Sequence, residues 1–413
     1  MNTKTNLSKK AIIASLIAVA AILAVGTIIA VSSSKKPIIA FYNVPDKNAA
    51  ALQAALGDTF SYLLLSADRP LAWELEQQKN LDAVITPSGK ALKDAQSAAS
   101  KKIRLSPELL KDTTTSIKAV ALTEKTREIQ SLPLLSSHLE LAIQTQELKK
   151  SGVKALNSWN DFERFAQAAK EKNNTHILFA GKESNTFLDI LGALTESINS
   201  KQSYENAVQL IEIAVDKAQS SKKNEFDASK LVQLLAGTPD APLYEAVRTI
   251  NRWYKEGYLF SEVFSLDKTS VSALMENKIA CAVIMSLEDH RAADRTIIEK
   301  YTSYKFPSNI PEYIRTFTAP VYFITPLKNE KTMIAAAEQL LTTETQEQLS
   351  RATGLAPVLA RCRTPDRQAD DARYWVAASN SPLAGLSREI SLAHSQRELL
   401  ASELAALVRF GSF

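Results

Sequence analysis

Short apolar runs alternate with helix-like segments along the chain after residue 36. Residues 36–42, 60–65 and 81–85 are apolar runs of strand length, and polar, proline or glycine residues follow each of them. Residues 48–56 and 71–80, which lie between these runs, repeat apolar side chains at helical spacing. Strands that alternate with helices predict parallel pairing through right-handed crossovers. The pattern therefore predicts an α/β fold.

Helical spacing dominates the middle of the chain, from residue 136 to residue 232. An amphipathic helix over residues 243–255 stops at Gly257, and apolar residues at three- and four-residue spacing predict one last helix over 386–409. The remaining strand candidates are residues 173–180, 279–285 and 321–324. About 375 residues follow residue 36, which is more than one hydrophobic core usually organises, so we expect two domains.

The first 36 residues carry a targeting pattern. Lys4, Lys9 and Lys10 precede an uncharged, largely apolar run from residue 11 to residue 31. About 20 apolar residues cross a hydrocarbon core of roughly 30 Å, and a basic flank keeps the N-terminus in the cytoplasm. We therefore expect an uncleaved membrane anchor with the rest of the chain outside that membrane. A cleaved signal peptide with its site at residues 30–34 is the alternative.

Charge and cysteine content exclude several classes of partner. The chain has 49 basic and 45 acidic residues, and removing the five lysines of residues 1–36 leaves 44 basic against 45 acidic residues. Such a near-neutral exported part offers no basic field for nucleic acid. The two cysteines, Cys281 and Cys362, form neither a disulfide scaffold nor a metal site. We expect Cys281 to be a small buried hydrophobe, and a bridge to Cys362 is the alternative.

Catalytic motifs are sparse. No two of the four histidines are spaced as metal ligands on a helix, and neither a nucleophile elbow nor a phosphate-binding glycine loop occurs. Residues 288–290 place two acids beside a histidine, which we interpret as a solvated turn. We therefore predict no enzymatic activity, no cofactor and no metal, although a triad assembled only by folding would escape this search.

Several blocks, in the right order, resemble the family 1 extracellular solute-binding proteins, the maltose-binding-protein type of ABC importer receptor. Residues 139–152 and 157–162 are similar to that family's helix, glycine turn and tryptophan-containing helix start, and Ser158 with Asp161 can form a capping box there. The other matching blocks are residues 244–258, 273–281, 317–325, 328–341 and 346–357. Together the blocks cover most of residues 37–361.

The resemblance implies a two-lobe periplasmic-binding-protein-like fold, in which strands cross at a hinge and a solute lies in the cleft. It implies lobe one over residues 37–126 and 286–329, and lobe two over residues 127–285 and 330–413, after a cytoplasmic stub and anchor or signal over residues 1–36. The implied partners are a small-molecule solute and the permease subunits of an ABC transporter, with the membrane contacted through residues 11–31.

Polar side chains at strand ends suggest where the solute binds, because ligands of parallel sheets collect at the carboxyl ends of the strands. The resemblance adds residues from lobe two and the crossing strands. The expected ligand-binding set is Tyr42, Asn43, Ser88, Gly89, Gln144, Ser286 and Tyr322. Amides and hydroxyls would bind a neutral polar solute, the glycine would allow close backbone approach, and a tyrosine would cover an apolar face.

Other roles for these residues stay open. Asn43, Ser88 and Gly89 can simply form turns after strands, and the aromatic candidates Tyr42, Tyr322 and Trp375 can be core residues. The family's usual aromatic is replaced by Gln144 and Thr145, so the carbohydrate expected from the family has little support in the residues. The alternative function is an envelope interaction or scaffold protein with a degraded cleft, and an exported enzyme is a third hypothesis.

Overall fold

The computed structural model describes residues 36–99, 105–113, 117–118, 121, 128–220, 226–309, 318–328, 330–363, 384–390 and 392–413. The expected anchor or signal segment and Trp375 lie outside these ranges. Within them, no helix combines the length and the apolar character that spanning a membrane requires. The strands are β1 Ile38–Tyr42, β2 Ser61–Leu65, β3 Ala83–Pro87, β4 Leu132–Gln144, β5 His176–Leu178, β6 Ala280–Ser286, β7 Tyr301–Tyr304, β8 Thr318–Pro326 and β9 Ala356–Pro357.

Helices cover both faces of this sheet. Those of the first part of the chain are α1 Asp46–Leu56, α2 Leu71–Gln77 and α3 Lys90–Ala98. The middle of the chain forms α4 Thr145–Ser151, α5 Trp159–Asn173, α6 Ser184–Ile198, α7 Lys201–Ser220, α8 Ala228–Ala236, α9 Tyr244–Lys255, α10 Lys268–Glu276, α11 Leu287–Ala292 and α12 Arg295–Ile298. The last part forms α13 Glu330–Leu340, α14 Thr343–Thr353, α15 Leu386–Glu389 and α16 His394–Phe410. Short 3-10 turns are Gly57–Thr59, Pro107–Leu110 and Val263–Ser265.

The first three strands confirm the α/β prediction. β1 pairs in parallel with β2 and with β3, and α1 and α2 connect them as expected. Alternate residues of β1 enter opposite cores, so Ile39 and Phe41 face one helical layer and Ala40 faces the other. The predicted capping box at the start of α5 is also confirmed, because Ser158 accepts from the Asp161 amide while Asp161 accepts from the Ser158 amide.

One long strand, β4, belongs to both halves of the sheet. Its first half, up to His138, pairs with β8 and β9, and its second half, from Leu139, pairs with β6 and β7. The strand order is β2-β1-β3-β8-β4-β6-β5 within the described residues. Hydrophobic cores lie on both sides of the switch between residues 138 and 139, and we call the elements around them lobe one and lobe two. The expected two-lobe α/β fold is confirmed.

Packing divides the chain differently from the expected boundaries. Met333 of α13 and Leu349 of α14 join Ile39 in the core of lobe one, although residues 330–413 were expected in lobe two. Phe306, expected in lobe one, packs with Trp159 in lobe two. An amphipathic helix shows which of its faces is buried, but not which sheet covers that face.

Two predicted elements are wrong. Residues 136–144 of β4 fall in the region predicted to be mainly helical, but β4 is buried on both faces, so it shows none of the alternation that marks a half-exposed strand. The helix predicted over residues 386–409 is two helices, α15 and α16, and Ile390 between them is extended. Leu386 and Ile390 are both buried against lobe two because the helix is interrupted between them. Tertiary packing therefore determines the conformation here, in place of the helical spacing of the apolar residues.

Both cysteines are buried and no disulfide joins them. Cys281 lies in the core of lobe two, as expected, and burial raises the pKa of its thiol to about 12. The thiol of Cys362 donates to the Thr343 carbonyl in lobe one at 3.7 Å.

A buried carboxylate fastens lobe two at the point where β4 changes partners. Glu140 is fully buried, and its two oxygens lie 2.6 Å from His138 Nε2 and 2.6 Å from His290 Nδ1. Ser303 of β7 donates to it at 3.0 Å. Burial alone would raise the pKa of Glu140, but the hydrogen bonds and charges of the two histidines lower it to about 2. The carboxylate therefore ties α11 and β7 to β4.

Replacing this carboxylate should weaken the fold. Glu140→Gln keeps the size of the side chain but leaves the two histidines without a charged partner, so we expect the free energy of unfolding to fall by about 3 kcal/mol at neutral pH. Because the folded pKa lies below the ordinary value of 4.5, the contribution of Glu140 is present above that pH and is lost as the pH falls toward 2. Urea unfolding at pH 7 and at about pH 3, inside the window from 4.5 to about 2 in which the contribution fades, measures both effects.

Glu299→Gln is the matched control, because Glu299 forms an exposed ion pair with Arg295 within one helix turn. We expect this change to cost less than about 1 kcal/mol at either pH. Equal unfolding midpoints for Glu140→Gln and the parent protein at pH 7 would contradict the role of the buried carboxylate.

Candidate functional site

A cavity of about 570 Å³ lies between the two lobes, beside the switch point of β4. Its volume is in the range typical of small-molecule sites. Lobe one lines it with residues at the carboxyl ends of β1, β2 and β3, lobe two lines it from α6, α10 and α11, and the C-terminal part of the chain adds α15 and α16. A molecule held there would contact both lobes at once.

The wall from lobe one is polar at its rim. Asn43 follows β1 directly, with a φ of 52° in the left-handed region that asparagine tolerates better than most residues, and its side chain is exposed. Tyr322 of β8 is buried, and its hydroxyl accepts from Asn48 at 3.1 Å. Burial raises the pKa of Tyr322 to about 12, so the hydroxyl is neutral. Leu64 adds an exposed apolar surface, since 58% of the residue is accessible to solvent.

The wall from lobe two carries one ion pair and a second acid that accepts a hydrogen bond. Lys268 lies 2.7 Å from Asp289, and Asp289 also accepts from the Ser286 hydroxyl at 2.9 Å. Glu288 accepts from the Ser137 hydroxyl at 2.6 Å. Both acids of this wall therefore have hydrogen-bond partners before any solute enters.

The third wall combines a half-buried acid with two arginines. Asp189 of α6 is half-buried, its partial desolvation raises its pKa, and it accepts from the Ser387 amide at 2.9 Å. Arg388 lowers the same pKa in part through its charge, and Arg397 does so to a smaller extent. Arg397 also donates to the Asn185 amide oxygen at 3.1 Å. The positive charges in the cavity therefore have an acid beside them.

The structure brings Asn43, Ser286 and Tyr322 of the predicted set together in this cavity. Tyr42 lines a neighbouring cavity of about 250 Å³, which shares Asn43 with the first, and its hydroxyl donates to the Arg69 carbonyl at 2.8 Å. Tyr42 and Asn43 thus lie at the carboxyl end of β1, and the role of these four residues toward a ligand stays a prediction.

The other three predicted residues make local or intramolecular contacts outside the cavity lining. Ser88 is buried, and its amide donates to the Val321 carbonyl. Gly89 does allow a close backbone approach, but the approaching backbone is that of Arg388. Gln144 caps α4 by accepting from the Glu147 amide at 2.7 Å. Their role toward a ligand stays a prediction.

Several site residues were missed by the sequence argument. The turn interpretation of residues 288–290 is wrong, because Glu288 and Asp289 line the cavity and His290 is buried against Glu140. Asp189, Lys268 and Arg388 also line the cavity and carry no motif. The one available signal was the cluster of acids and histidine at 288–290. Among the described residues, no group of three or more histidine, cysteine or acidic side chains is placed to hold a metal ion.

Comparison with known proteins finds the fold but no sequence family. No family model and no curated protein matches the sequence. A putative binding protein, MsmE from Bacillus subtilis, in an open conformation, is similar in structure with a TM-score of 0.66 and 14% identity, covering 91% of this chain and 94% of that chain.

Two further solved structures are similar over nearly their whole length. The bacterial solute receptor AcbH, described as having an exclusive preference for β-D-galactopyranose, has a TM-score of 0.63 and 11% identity, covering 91% of this chain and 98% of that chain. A chitin oligosaccharide binding protein has a TM-score of 0.61 and 14% identity, covering 90% of this chain and 97% of that chain. These neighbours are binding proteins, and at such identities the comparison establishes the architecture: the chain has the two-lobe fold of the solute-binding proteins.

Proposed function

We propose that this protein is an extracytoplasmic solute receptor of an ABC importer, and that it binds a small polar solute of the carbohydrate class between its lobes. The observation that carries the proposal is the cavity of about 570 Å³ that both lobes line. The similar structures support the solute class, since their descriptions name a chitin oligosaccharide and β-D-galactopyranose as what those proteins bind. The permease subunits of the importer are the proposed protein partner.

The chemistry of the cavity favours a neutral solute. Lys268 is paired with Asp289, and Arg388 lies beside Asp189, so neither sign of charge dominates the walls. Asn43 from lobe one and Thr186 from lobe two supply uncharged hydrogen-bonding groups, and Leu64 supplies apolar surface for the face of a sugar ring. Contacts made to both lobes exist only when the lobes are close, so binding shifts the population toward the closed state.

The interaction-protein hypothesis is favoured by one observation. Ser387 and Arg388 of the C-terminal part project into the interlobe space and leave less room for a solute. That hypothesis expects no solute to stabilise the protein.

Loss of a polar group at the cavity should weaken binding without unfolding the empty protein. Asn43→Gly suits the left-handed backbone, and Thr186→Val keeps the shape of the side chain. Each removes a hydrogen bond worth about 1 to 1.5 kcal/mol, so we expect the Kd to rise about tenfold. A thermal-shift screen of the full chain against sugars, polyols and oligopeptides first identifies the solute, and titration calorimetry then measures the Kd of each variant.

Asn174→Gly is the matched control, because Asn174 is also an exposed asparagine with a positive φ, of 50°, and it lies outside the cavity lining, so the Kd should stay unchanged. A solute at 100 times its Kd should add about 2.7 kcal/mol to the free energy of unfolding. Stabilisation by oligopeptides alone would reject the carbohydrate class, and no stabilisation by any solute would reject the receptor.

We also propose that residues 11–31 anchor the protein in the cytoplasmic membrane, with the lobes outside. The basic flank and the uncharged apolar run support this placement. The mature protein should then stay in the membrane fraction through carbonate and high-salt washing. A mature N-terminus at or near residues 33–36, found by sequencing, would reject the anchor in favour of a secreted receptor.

A further inference from the structure

Residues 384–390, which we call the bridging segment, lie in the interlobe space and contact both lobes. Ala384, Leu386, Ser387 and Ile390 are buried. Ser387 and Arg388 line both the main cavity and the neighbouring cavity of about 250 Å³. The segment therefore divides the space between the lobes into two cavities.

Three glycines make room for this segment. A Cβ atom on Gly89, in lobe one, would overlap the Arg388 carbonyl group. On Gly192 of α6, in lobe two, it would lie 3.1 Å from Leu386 Cβ and 2.9 Å from a ring carbon of Tyr204. On Gly385 itself, where φ is 101°, it would lie 2.6 Å from an Asp189 oxygen. At Gly89 the two backbones thus approach more closely than a residue with a side chain would allow.

The bridging segment also makes polar contacts with each lobe. Toward lobe two, the Ser387 amide donates to Asp189 at 2.9 Å. Toward lobe one, Glu389 forms an ion pair of 3.2 Å with Lys93 of α3. After the segment, α16 packs into the core of lobe two through Leu400, Leu404 and Val408. The segment is therefore held firmly on lobe two and extends from it to lobe one.

We propose that the bridging segment is an intramolecular strap that holds the two lobes in one relative orientation when no solute is bound. The glycine contacts and the ion pair make this orientation lower in free energy than one with the lobes separated, since separation would expose the segment and break its contacts to lobe one. This role goes beyond solute binding and does not depend on it, so it can be tested in the empty protein.

The test measures the distance between the lobes in the full chain. Spin labels on Lys47→Cys in lobe one and Thr269→Cys in lobe two report it by double electron–electron resonance; both positions are exposed, whereas Cys281 and Cys362 are buried. Without solute, the parent should give one narrow distance distribution. Gly89→Ala should displace the strap and shift the distribution to longer, broader distances.

Gly57→Ala is the matched control, because Gly57 also has a positive φ, of 61°, but an added Cβ there would meet nothing within 4 Å. It should give the parent distribution. Ser387→Pro removes the amide that donates to Asp189, and it serves as a second variant if Gly89→Ala does not fold. A longer distance in either variant with Gly57→Ala unchanged supports the strap. A broad distribution in the parent, parent-like distances in both variants, or equal lengthening in Gly57→Ala overturns it.

Discussion

The arrangement depends on one strand that serves two lobes. The first half of β4 lies between β8 and β9, and its second half lies between β6 and β7. Because backbone hydrogen bonds fix each half to its own partners, relative motion of the lobes must occur close to residues 138 and 139. His138 lies at that point, buried against Glu140, and it also lines the cavity. The hinge and the candidate site therefore share residues, so a change in one affects the other.

The charges around the cavity are the physical basis of our proposal that the solute is neutral. An unpaired charge in a partly desolvated site is costly, and it would select a solute of opposite sign. Here Asp289 is held by Lys268 and Ser286, while Asp189 has a backbone amide and the charge of Arg388 beside it. Such contacts hold the side chains of the walls in place, and they do not require a solute of opposite charge. The uncharged rim at Asn43, Thr186 and Leu64 is available to a solute.

A strap that contacts both lobes changes the energetics of a hinged receptor. Without it, the empty lobes would separate freely, and the solute alone would provide the contacts that hold them together. With it, part of the free energy that holds the lobes together comes from the chain itself. The closed state is then already populated without solute, so a solute changes that population less, and it also has less space to occupy. The same segment therefore links the receptor hypothesis to the scaffold hypothesis, because a strongly held strap gives a protein of fixed shape with a reduced cleft.

Local patterns in the sequence determined the first three strands with their helices, the capping box of Ser158 and Asp161, and the polar residue after β1 that reaches the cavity. Each of these depends on residues a few positions apart. Only the tertiary structure decided that β4 is a strand, that residue 390 breaks the last helix, and that the chain itself fills the space beside Gly89. It also decided that Asp189 and Arg388, distant in sequence, meet in one wall. Burial on both faces removes the alternation that marks a strand, and contacts between distant residues leave no spacing in the sequence to detect them.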